Sequence, residues 1–449
     1  MHCASTAGHP VDAIPAGITT CRATSESLRV EGLVRDTATP GLLLLAACGD
    51  DSDSDSGDAT SGDESAAVEA EGVSGTPCDV NDDVDPEADE VHAVPDEYGT
   101  IQEAVDAAEP CDLVLVSPGE YNEAVDVTTD DLTIRGLDRN EVILDGEFEL
   151  DNGIRVLEAD GVAIENMTAR NYTTNGFFWT GVERYRGSYL TAHNLGSYGI
   201  YAFDSTTGLI EHSYGSGASD GGVYIGQCNP CDAVVDNVLS EHNGLGYSGT
   251  NASGELYIVN STFRHNRTGI VPNSGTYEDL YPQDGIVVVG NTVHGNHNPD
   301  TAAIEVAQLA TGTGILVAGG NNNVIERNLV FDHELVGLGV IPIDDDEIEG
   351  GLFWPSGNVV RDNVVSDSEL ADMALADEDE DAENCFGGNE FTSSAPADIE
   401  AVAPCDGEPG GDRDDDALDL GYLLSRDTPD SGDYEDQPVP DDQENMPDA

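Results

Sequence analysis

From about residue 160 onward the chain repeats itself. Phrases built as apolar–x–Asn–apolar recur at Ile164-Glu165-Asn166-Met167, Val235-Asp236-Asn237-Val238, Ile258-Val259-Asn260-Ser261 and Val289-Gly290-Asn291-Thr292, and looser copies end at Asn328, Asn363 and Asn389. From Asn237 the copies lie 23, 31, 37, 35 and 26 residues apart. A His-Asn marker recurs at His193-Asn194, His242-Asn243 and His265-Asn266. Self-similarity at this period marks a solenoid, whose units are too small to bury an apolar face alone and bury it against the next unit. The units here are short, β-branched and punctuated by Gly and Asn, with no helical period, so the solenoid is one of strands. Its coils stack ~4.8 Å apart and equivalent residues form ladders. Asn at a turn can bond its equivalents above and below, which gives the Asn column a structural reason without any function.

Order is expected from Val91. Residues 100–108 predict a short amphipathic helix with Ile101, Ala104, Val105 and Ala108 on one face. Strand-like runs follow at 113–116, 124–127, 132–134 and 142–144, separated by Pro118-Gly119, Asp130-Asp131 and Arg135-Gly136. This order resembles the opening of pectin-lyase-like β-helices, and the resemblance spans about residues 91–405. It implies an all-β, right-handed parallel β-helix with an N-terminal capping helix. The longer repeats predict loops projecting at 273–283, 298–312 and 343–355. Residues 406–449 hold 16 acidic and two basic residues and one short apolar patch at 418–424. They read as an extended acidic tail lying on the body or leaving it.

The formal net charge is −75, from 90 acidic and 15 basic residues, and every basic residue is arginine. Such a surface repels nucleic acid and anionic lipid, since phosphate binding needs clustered Lys or Arg. Acidic polysaccharides are repelled too unless divalent cations bridge them. Adaptation to saline surroundings, where counter-ions screen self-repulsion, accounts for a uniformly acidic chain.

Residues 41–48 form an apolar run, small residues and then a cysteine. Leu45-Ala46-Ala47-Cys48 resembles the bacterial lipobox, which implies lipid attachment at Cys48, export and a membrane anchor at the cell surface or in the periplasm. Residues 1–47 are then signal and over-extended start, and 48–90 a flexible acidic linker. Six further cysteines fall into local pairs, Cys78 with Cys111, Cys228 with Cys231 and Cys385 with Cys405, as expected for disulfides in an oxidising compartment. Cys228-Asn229-Pro230-Cys231 could instead be a redox motif or half a zinc site. A redox motif usually opens a helix and a zinc site wants a second ligand pair, and neither is visible. Asp79, Asn81, Asp83 and Glu90 have part of a calcium-loop spacing, but Val84 stands where the turn needs Gly. Calcium is the one cofactor the sequence leaves open. A monomer is expected.

A β-helix warrants no activity by itself. Thr100–Ala108 and Gly119-Glu120-Tyr121-Asn122-Glu123 resemble pectin methylesterases, but that family's catalytic Gln, paired-Asp motifs and Arg-Pro-Trp phrase are absent. The Arg-Ile-Lys phrase of polygalacturonases is absent, as is lysine altogether. Neither the arginine base nor the aspartate calcium cradle of pectate lyases is found. Tyr281-Pro282-Gln283-Asp284 resembles the setting of the Asp-Pro-His-Asp motif of mannuronan C5-epimerases. Tyr281 and Gln283 stand where that motif has Asp and His, and an amide cannot shuttle a proton, so only Asp284 carries over as an acid.

Phe178, Tyr201 and Tyr224 are spaced 23 residues apart, with Gly176, Gly199 and Gly222 and then Phe177, Ile200 and Val223 in the same register. If Phe177, Ile200 and Val223 fill the core, the three rings face outward. Tyr247 continues the spacing, although aligning the His-Asn turns puts it in the inward column. Stacked rings either stabilise the coils or offer a platform to the apolar faces of sugars. The sequence therefore reads as an exported β-helix lipoprotein that binds neutral glycan or envelope components, without a recognisable active site. The alternatives are a polysaccharide lyase or C5-epimerase, and a metal-delivery periplasmic β-helix.

Overall fold

The computed structural model describes residues 90–377, 380–447 and 449. Cys48, Cys78, Asp79, Asn81 and Asp83, with the expected signal and most of the linker, lie outside the described residues. Among the described residues the chain winds three long parallel sheets of 12, 11 and 10 strands. Each coil gives one strand to the 12-stranded sheet, then one to the 10-stranded and one to the 11-stranded sheet. This is a right-handed parallel β-helix.

The strands form where inward positions alternate with outward ones. Along the 12-stranded sheet one column reads Val114, Ile134, Ile164, Gly187, Ile210, Val235, Ile258, Val288, Ile325, Val360 and Phe386. Its side chains are buried, and burial of each contributes about 1.5–3 kcal/mol. Gly187 interrupts the column because Trp179 fills the space; a Cβ there would lie 3.1 Å from the indole.

The helix Ile101–Ala107 closes the first coil with Ile101, Ala104 and Val105 buried, and the Thr100 hydroxyl accepts from the Glu103 N–H. At the other end Cys385–Gly387 and Ser394–Ala395 are the last strands, followed by the short helix Ile399–Val402. The three projecting loops are present. The second carries the helix Glu305–Leu309, and the third the antiparallel pair Ile343–Asp344 and Leu352–Phe353.

The acidic tail runs back over the body. Arg426 donates to the Thr311 carbonyl and Arg267 to that of Pro429; Asn194 donates to the Tyr434 and Gln437 carbonyls, and Arg139 to that of Glu444. Arg139 and Arg267 are buried. Their guanidinium groups bind backbone oxygens, so the tail is held by its peptide groups.

The Asn column of the sequence is two columns, one residue apart. Val235 pairs with Ile258 and Ile258 with Val288, which aligns Asn260 with Gly290 and Asn291 with Ser261. Asn166, Asn237 and Asn260 adopt positive φ, a conformation Asn and Gly tolerate best. Asn291, Asn328 and Asn363 are the buried ladder, and the half-buried Asn389 ends it. The Asn328 Oδ1 accepts from the Asn291 N–H and amide, and Asn363 does the same for Asn328.

Candidate functional site

The outward column of the 11-stranded sheet reads Asp126, Arg155, Phe178, Tyr201, Tyr224 and Ser248. Phe177, Ile200 and Val223 beside it are fully buried in the core. Phe178 stacks on Tyr201 with ring centroids 4.7 Å apart and planes at 22°. Tyr198 stacks on Tyr201 more closely, at 4.3 Å and 8°. The 23-residue spacing does not find Tyr198, which precedes the strand Ile200–Phe203 and lies three residues before Tyr201. All three rings are half-buried.

Two of the expected binding residues need correction. Tyr224 meets Tyr201 edge-on at 4.7 Å and 64°, but it is fully buried. The loop after the strand Thr268–Asn273 roofs it, and its hydroxyl donates to Glu278 Oε1 at 2.6 Å. Tyr247 pairs with Val223 and lies in the inward column; it is fully buried and its hydroxyl donates to the Ile225 carbonyl. A core ring cannot touch a ligand.

The aromatic face ends on two carboxyl groups. Asp220 lies just ahead of the strand Gly221–Gly226 and is 8% exposed, and its Oδ1 has no hydrogen-bond partner. Glu278 comes from the roofing loop, and its Oε2 is likewise buried without a partner. Burial pushes the Asp220 carboxyl up to about 7, opposed by Tyr198. Burial, with the charge of Asp220, pushes Glu278 up to about 7, opposed by the Tyr224 hydroxyl. Tyr198 and Tyr224 are raised well above the ordinary phenol range, first by burial and then by these acids. Carboxyls raised to about 7 beside phenols can donate when protonated and accept when ionised, which suits them to sugar hydroxyls and to proton transfer. The sequence offered two signals: an acid opening the coil that carries Tyr224, and an acid in a loop long enough to fold over it.

Asp284 sits at a corner of the coil. Its backbone N–H donates to the Ser253 hydroxyl, and its carboxylate accepts from the Asn322 amide at 2.9 Å, a neutral group that cannot take a proton. Gln283, at the histidine position of the epimerase motif, is buried and bonds the Ala252 carbonyl and Asn323 as part of a second amide ladder. Cys228–Cys231 and Cys385–Cys405 are disulfides, and Cys111 is also disulfide-bonded. Glu90 is exposed, and no group of metal-ligating side chains occurs among the described residues.

The coil and its three sheets define a parallel β-helix. No family model matches the chain, and no curated protein matches it. Among solved structures it is similar to the A-module of a mannuronan C-5 epimerase of Azotobacter vinelandii, at 15% identity and a TM-score of 0.49, over 68% of this chain and 96% of that one. An alginate lyase from a Paenibacillus species is similar at 12% identity and 0.42, over 68% and 99%. A pectate lyase is similar at 13% and 0.35, over 81% and 90%. These likenesses concern the coil, and no residue role is carried over from them.

Proposed function

We propose that the protein is an exported β-helix that binds neutral glycans on the aromatic face of its 11-stranded sheet. The observation that supports this reading most is the stack of Tyr198, Tyr201 and Phe178, half-open rings held parallel within 4.3–4.7 Å. Flat aromatic surface matches the C–H faces of pyranose rings, and the adjoining carboxyls suit hydroxyl groups. A net charge of −75 disfavours uronate polymers. Arg155, the one cation in this outward column, is paired with Asp126 at 2.9 Å. Immobilised neutral glycans should therefore retain the protein, whereas alginate and pectate without divalent cations should not. Retention on uronate polymers alone would overturn the proposal.

Lipid attachment at Cys48 would place this face at the cell surface or in the periplasm. Cys48→Ser should move the protein from the membrane to the aqueous fraction, and an unchanged distribution would contradict the anchor.

A further inference from the structure

We propose that Asp220 and Glu278 form an acid–base pair that hydrolyses the glycosidic bond of a neutral glycan held on Tyr198 and Tyr201; this rests on the binding reading above. Asp220 and Glu278 come from different coils, and the charge of Asp220 acts on Glu278. Tyr198 faces Asp220, and Tyr224 holds Glu278 through its hydroxyl. One oxygen of each acid, Asp220 Oδ1 and Glu278 Oε2, is buried with no donor from the protein. Buried polar atoms in native folds are almost always paired, and an orphan points to a partner outside the chain. Sugar hydroxyls and water are the donors that suit two such oxygens beside flat rings.

The two acids differ in a way that assigns their roles. Tyr224 donates to Glu278, which favours its ionised form and makes it the base. Asp220 is the more deeply buried, at 8% exposed against a half-buried Glu278, which favours its protonated form and assigns it as the acid. Asp220 then gives its proton to the glycosidic oxygen as the C1–O bond breaks. Water attacks C1 and yields a proton to Glu278, so a C1–OH bond forms. The products are a hemiacetal and an alcohol, and exchange with solvent returns a proton to Asp220 and removes one from Glu278. The roofing loop presents Tyr277, Leu280 and Tyr281 exposed at its crest. Both orphan oxygens are closed to solvent, and the loop over them is tied down where the Asn251 amide donates to the Gly275, Glu278 and Asp279 carbonyls, so sugar reaches the acids only when these bonds open.

The test uses the full chain and every neutral oligosaccharide that it retains, with release of reducing ends as the readout. Cleavage is expected, with a pH profile that falls on both sides of neutrality. Asp220→Asn and Glu278→Gln should each lower it by about 100-fold or more while retention persists. Tyr224→Phe keeps the buried ring and removes the bond to Glu278. It should move the acidic limb of the profile to higher pH, against a background set by Asp220, Tyr198, Tyr201 and Tyr277. Glycans that are retained but never cleaved would overturn the catalytic inference and leave the binding reading standing. Absence of retention would overturn both. Cleavage that survives both carboxyl substitutions, or a profile that Tyr224→Phe leaves in place, would also overturn the inference.

Discussion

Two stretches of one outward face behave differently. From Phe178 to Tyr224 the 11-stranded sheet presents rings, the first two half-open. Further along, Leu245, Val271, Leu316 and Ala318 point the same way, yet they are buried under Ala303 and Ala307 of the second projecting loop and against Ile341 and Ile343. Leu335, Val336 and Ala374 are covered in turn by Leu418 and Leu423 of the tail. A cavity of about 330 Å³ remains between these layers, lined by Val271, Leu309, Leu316, Ile341 and Leu423 among others. An outward apolar column is therefore not in itself a binding face. Where a coil carries an insertion there is chain to cover it, and it becomes a second core. Coils of 23 residues have no chain to spare, and their rings stay at the surface, except where a later loop folds back over Tyr224.

The largest expected effect concerns the buried acid at the boundary of the two stretches. The folded-state pKa of Asp220 is raised from 3.8 to about 7, so the folded chain holds this proton longer than the unfolded chain does. Its stabilising contribution is full below about pH 4 and is lost as pH rises through 7, on the order of 4 kcal/mol across that window. Asp220→Asn should flatten this part of the stability–pH curve in denaturant titrations. An identical slope in the variant would mean that Asp220 is not held protonated.

Next comes packing along the column itself. Leu316→Ala, in the covered stretch, should cost about 2–3 kcal/mol. Tyr201→Ser, in the open stretch, should cost only about 1 kcal/mol of ring contact. Equal costs in urea unfolding would erase the distinction between core and surface. The smallest effect is general. Self-repulsion of the acidic surface should raise the thermal midpoint by a few degrees from dilute buffer to molar NaCl. A flat or falling midpoint would argue against adaptation to saline surroundings.

What the sequence made legible is what repeats. The capping helix, the inward Phe177, Ile200 and Val223 and the three loops all follow from period and punctuation. The Asn phrases misled by one residue, because Asn satisfies both a positive-φ turn and the adjacent buried ladder. Tyr198, Asp220 and Glu278 were not found, since their meeting depends on a non-periodic loop folding back over an earlier coil. The same fold-back buries Tyr224, which alternation along the strand correctly turns outward but cannot show to be covered.

The central claim is that the open stretch holds neutral sugar on its rings. Calorimetric titration with a retained neutral oligosaccharide, at a temperature where both proteins are folded, compares the parent chain with the variant carrying Tyr198→Ser and Tyr201→Ser. The account predicts binding by the parent and its loss, by at least tenfold in affinity or about 1.4 kcal/mol, in the variant. Undiminished binding by the folded variant would contradict it.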